Sequence, residues 1–171
     1  MAFTCLLAGW TLSCDATDHD SFVEVLSEHA KLIAPFESYE NISVVQRRLK
    51  TNGLSWSLIE DNSTVSKGSK RPPFHIYVIR VNAFKDSGHE GDLRLEFFND
   101  RLMATWFYPE GFTSYRAVVE ARYPEILGKQ SITVGQYTRI AFARDYEARD
   151  YIAWEDIRLR EQVDLWIKQY S

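Results

Sequence analysis

The stretch Leu93–Tyr108 narrows the fold more than any other part of the chain. Two runs, Leu93–Phe98 and Arg101–Tyr108, flank Asn99-Asp100, a pair that tolerates the positive φ of a tight two-residue turn. Such a turn sets Phe98 opposite Arg101, Phe97 opposite Leu102, Leu95 opposite Ala104 and Leu93 opposite Trp106. Every partner in the Leu93/Leu95/Phe97 row is then apolar, while the other face carries Arg94, Glu96, Met103 and Thr105. A slip of one residue would bury Arg94 and Glu96, so turn chemistry and burial select the same register. An antiparallel hairpin with Trp106 in its core is the expectation.

Other elements arrange themselves around this hairpin. Ser21-x-x-Glu24 forms a capping box, and Phe22, Val25, Leu26, His29 and Ile33 follow at helical spacing up to Pro35. A second helix is expected from about Ser38 to Lys50, with Ile42, Val45 and Leu49 on one stripe and Gly53 closing it. Leu54, Trp56 and Leu58 alternate with Ser55 and Ser57, as in a strand with one buried face. Asp61–Pro73 reads as a polar loop, Phe74–Phe84 as a strand covered on both faces, and Lys85–Gly91 as another loop. Thr113 caps a third helix, with Val118 and Val119 inward and Pro124 ending it. A second hairpin joins Tyr137–Tyr146 to Tyr151–Trp154. The last segment alternates like a strand but also fits a helix through Leu159, Val163 and Trp166. Its Arg, Glu and Gln content, and Asp156 as a cap, favour the helix. The expected fold class is α+β: an antiparallel sheet of about five to six strands, with two N-terminal helices and one or two later helices packed on it.

Composition limits the function classes. With 171 residues, 45% apolar and 26% charged, the chain matches an ordinary globular domain rather than a disordered or fibrous one. No stretch approaches the ~18 apolar residues of a membrane span. The net charge of -4 argues against a dedicated nucleic-acid binder. Charge is unevenly distributed: residues 1–45 carry seven acids and one base, residues 46–71 six bases and two acids. That basic stretch, Arg47, Arg48, Lys50, Lys67, Lys70 and Arg71, has no interleaved stacking aromatics, so a solvated polar surface is the better reading. The four histidines, His19, His29, His75 and His89, lie in separate elements without zinc spacing. Neither a nucleophile elbow nor a phosphate-binding glycine loop is present. Glu155-Asp156 sits beside Trp154, but adjacent acids on one element do not flank a substrate bond. No catalytic or metal-binding residue and no cofactor is assigned.

Two sets of residues remain as binding candidates. Phe98 and Phe107 fall on the more polar face of the expected hairpin, where an aromatic patch would contact another protein. Arg47 and Arg48 form the core of the basic stretch. At the N-terminus, residues 2–13 are uncharged and mostly apolar, and end at Ser13-Cys14, a small residue before a cysteine. This resembles a bacterial lipoprotein signal, although no Lys or Arg follows Met1 and Thr11 stands where Leu is usual. The resemblance implies lipid on Cys14 and a short tether, Asp15–Asp20. The other reading of residues 1–14 is an apolar tail or first strand. Residues 15–171 are read as a single α+β domain.

With these elements in place, the chain resembles small bacterial envelope lipoproteins of the BamE/SmpA or β-lactamase-inhibitor-like type. Three segments carry the likeness: Ser38–Ile42 through Leu49 to Gly53, the Leu95–Leu102 hairpin, and the Ser13-Cys14 step. It spans residues 14–108 and leaves out the hairpin and helix after Thr113. It implies a non-enzymatic binding or scaffolding module, lipid-anchored on the periplasmic face, whose partner is another protein rather than nucleic acid. The alternatives are a cytoplasmic immunity or inhibitor protein that binds a toxin or enzyme, and an enzyme with a dispersed site.

Overall fold

The computed structural model describes residues 28–63 and 70–171. Its elements are α1 (Ile42–Thr51), β1 (Trp56–Ser63), β2 (His75–Asp86), β3 (His89–Phe98), β4 (Arg101–Pro109), α2 (Phe112–Arg122), β5 (Ser131–Val134), β6 (Thr138–Arg144), β7 (Asp150–Asp156) and α3 (Ile157–Tyr170). All seven strands form one antiparallel sheet in the order β1-β2-β3-β4-β7-β6-β5. The class is the expected α+β, with more strands than expected. The added strand is β5, which lies in the stretch read as a connection; β1 is also longer than expected and reaches into the stretch read as a polar loop.

The Asn99-Asp100 turn is present, with φ of 47° and 64° at its two residues. Phe98 pairs with Arg101 and Phe97 with Leu102 as expected. Beyond them the register shifts: Glu96 faces Ala104, Leu95 faces Thr105 and Leu93 faces Phe107. Met103 is the extra residue of a β-bulge, and it turns the rest of β4 over. Phe107 therefore enters the core opposite Leu93, and Trp106 moves to the other face opposite Arg94, where it stacks on Tyr151.

Both faces of the sheet carry apolar side chains. On the first, Ile79, Leu93, Leu95, Phe97, Phe107, Ile152 and Trp154 pack with Val45 and Leu49 of α1, Tyr115 and Val119 of α2, and Ile33 and Phe36. On the second, Phe98, Met103 and Ala104 pack with Leu159, Val163 and Trp166 of α3. The C-terminal segment is thus a helix, and Asp156 caps it by accepting the Arg158 N–H at 2.9 Å. The capping is the expected one.

Three expectations are corrected. Residues 28–33 of the first expected helix are not helical; the capping box at Ser21 lies outside the described residues. Instead, Leu32 donates its N–H to Phe36 O, and Ser38 donates its own to Ala30 O. The chain doubles back and buries Leu32, Ile33 and Phe36 at spacings that a helix would also give. Lys85–Gly91 is a tight hairpin, turning at Ser87-Gly88 with positive φ at both residues. Finally, β1 has no buried face: every residue from Trp56 to Ser63 is exposed, Trp56 included.

Gly91 shows how closely β3 and β4 approach. A Cβ there would overlap the Tyr108 carbonyl oxygen and lie 2.8 Å from Pro109 Cα, both backbone atoms that cannot swing away. Gly91→Ala is expected to lower unfolding free energy by about 3 kcal/mol, measured by urea denaturation; a loss under about 1 kcal/mol would contradict the packing described.

Candidate functional site

The structure disposes differently of the four binding candidates on the described residues. Phe98 and Phe107 are fully buried. Phe98 lies under α3, and Phe107 makes an edge contact with Tyr115 of α2. Neither presents surface to a partner. The bulge at Met103 accounts for Phe107, and the second layer formed by α3 accounts for Phe98. Cys14 lies outside the described residues.

The two arginines of α1 have different roles. Arg48 donates from both terminal nitrogens to Glu40 and from Nη1 to the Pro35 carbonyl at 3.1 Å, with its guanidinium over the Phe36 ring. It holds the doubled-back segment against the helix. Arg47 is exposed and lines a groove of about 630 Å³ between α1 and the start of β1, with Ser43, Gln46, Lys50, Leu54 and Trp56.

That groove opens onto an unusual sheet edge. β1 is eight residues long, and its outer side pairs with nothing among the described residues. Trp56, Leu58 and Ile59 are 37%, 50% and 46% exposed. A register shift at Ile59 makes it an extra residue of the strand. Edge strands usually carry Lys or Pro that discourage further pairing; β1, reading WSLIEDNS, has neither. The opposite edge, β5, is only four residues. Exposed apolar side chains beside an edge whose outer side pairs with no described strand form a surface suited to main-chain recognition of an extended peptide.

Several buried charges elsewhere are held in ion pairs. On the second sheet face, Arg160 bridges Glu96 at 2.8 Å and Glu155 at 3.1 Å, and Arg139 also contacts Glu155. Burial pushes the Glu96 carboxyl above its ordinary range, with Arg160 pulling it back. Both acids are thus engaged by guanidinium groups instead of facing a cleft. Burial also pushes Tyr108 up to about 12, with Arg94 and Arg149 lying 4.7 and 4.9 Å from its ring centre. Asp145 sits between those arginines. Burial raises its pKa, but hydrogen bonds from Arg149 and from the Glu147 N–H outweigh this and hold it below the usual carboxylate range.

The remaining titratable candidates are scattered. His75 contacts Asp61 at 2.8 Å, His89 lies 3.2 Å from Ser114 Oγ, and His29 stacks on Tyr39. Among the described residues no cluster of His, Cys, Asp or Glu could hold a metal. No described helix is long and apolar enough to cross a membrane. Sequence reasoning picked out Arg47 but missed the edge, because Trp56 and Leu58 alternate like core residues. The missing Lys and Pro in β1 were the signal available.

The contrast between neighbouring arginines is measurable. Arg48→Ala is expected to cost about 1–2 kcal/mol of stability through its charged hydrogen bonds, whereas Arg47→Ala should stay within about 0.5 kcal/mol. Equal losses in urea denaturation would contradict these assignments.

No family model and no curated protein matches this chain.

Proposed function

We propose that this protein is a non-enzymatic binding module that takes an extended polypeptide segment as an added strand on β1. One observation carries the reading: an eight-residue edge strand, exposed along its length, with Trp56, Leu58 and Ile59 open to solvent beside a groove lined by Arg47 and Lys50. Main-chain hydrogen bonds along the edge supply affinity, and the flanking side chains choose the segment. The engaged state of Glu96, Glu155 and Asp156 supports a binding role over a catalytic one, since each of these buried acids is committed to a guanidinium group.

A photo-reactive residue placed at position 57 or 59 should cross-link to a polypeptide in cells, and one at position 133 on the opposite edge should not. Ile59→Lys should remove the cross-link at 57. Equal yields at 57 and 133, or none at 57, would defeat the proposal.

For its address we propose the bacterial envelope, with lipid on Cys14, on the strength of the Ser13-Cys14 step. Mass spectrometry of the protein expressed in a bacterium should find an acylated Cys14 at the N-terminus. An unmodified Met1 in the soluble fraction would remove the anchor and leave the β1 reading untouched.

A further inference from the structure

The occupant of β1 can be narrowed by asking what sequence complements it. The groove end, at Trp56, lies beside two cations, Arg47 and Lys50. The far end carries Glu60 and Asp61, and Leu58 and Ile59 lie between. A matching strand running antiparallel must therefore be acidic opposite Trp56, apolar at its middle, and free of acids opposite Glu60 and Asp61. An acidic peptide fails at the far end, and a basic one fails at the groove.

β1 itself satisfies all three conditions when turned end for end. We propose that β1 pairs with β1 of a second copy about a two-fold axis, joining two sheets into one; this rests on the strand-addition reading above. In the pairing, Leu58 meets Ile59 of the second copy, Ser57 meets Glu60 and Trp56 meets Asp61. The faces agree as well. Trp56 and Asp61 pair with Val81 and Tyr77 of β2, which pack with the core on the α1 side of the sheet; Ser57 and Glu60 pair with Arg80 and Val78, which point the other way. The two-fold keeps α1 of each copy on the same side, so Arg47 and Lys50 of one copy flank Asp61 of the other. Asp61 is 53% exposed at its side chain although it contacts His75, and has room for a second cation. Such an interface is isologous and closes at two copies, which avoids open fibres.

An edge contact of six residues in each copy falls at the small end of specific interfaces, so the dissociation constant should lie on the order of 1–100 μM. Sedimentation equilibrium of the full chain from about 1 to 500 μM should show a monomer–dimer equilibrium in this range. Asp61→Arg alone, or Arg47→Glu with Lys50→Glu, should raise the dissociation constant at least about tenfold by setting like charges together. Mixing the two variants should restore a heterodimer, a result that misfolding of either chain cannot produce. A chain that stays monomeric throughout, or variants that dimerise as the parent does, would overturn the self-pairing. If a monomeric chain still cross-links from residue 57 to a different polypeptide, strand addition stands and only the second copy is excluded. If it cross-links to nothing, both readings fall.

Discussion

One extra residue, Met103, determines how the apolar content of the chain is divided. Without the bulge, the β3–β4 hairpin would present one greasy face and one amphipathic face, and a single layer of helices would cover it. With the bulge, Phe97 and Phe107 go to one side while Phe98, Met103 and Ala104 go to the other. Each side then needs its own cover. α1 and α2 close the first and α3 closes the second, so the sheet lies between helical layers over that part of its area. Each fully buried Phe contributes about 1.5–3 kcal/mol relative to exposure, which makes leaving either face open costly.

The parts legible in the sequence were those governed by local chemistry. Asn99-Asp100 fixed its turn because few residue pairs adopt positive φ twice in succession, and Asp156 marked the start of α3 because a carboxylate there accepts an orphan N–H. What escaped depended on distant partners. The bulge is favoured only when α3 is present to bury Met103, and nothing within Leu93–Tyr108 signals that helix. Ser87-Gly88 was hidden inside a charged segment that resembles a loop. The doubled-back segment at Ala30–Ser38 mimics helical spacing because its turn also brings residues three and four apart together. Trp56 and Leu58 obey core alternation and still face water, since no described element covers them.

The same division explains the candidate site. Several acids and arginines that looked available in the sequence are spent on the second sheet face or on the segment before α1, as Arg48 is on Glu40. β1 and the adjoining flank of α1 combine exposed apolar side chains with cations that line a groove. An interaction surface in this protein is therefore better read from what the fold leaves without a partner than from the residue types alone.

Asp156 also ties together chain segments far apart in order. Its carboxylate accepts the Ser38 hydroxyl at 2.7 Å and the Arg158 guanidinium, which also donates to the Glu28 carbonyl at 2.9 Å. Ser38 in turn receives the Ala30 N–H on its hydroxyl oxygen. The first described segment thus needs β7 and the start of α3 in place before its polar groups are satisfied. Asp156 lies 118 residues beyond Ser38, so in any partly folded form in which β7 has not joined the sheet these groups are without each other. In such a form α3 does not cover Phe98, Met103 and Ala104 either, and the second face of the sheet stands bare, the kind of surface through which partly folded chains aggregate.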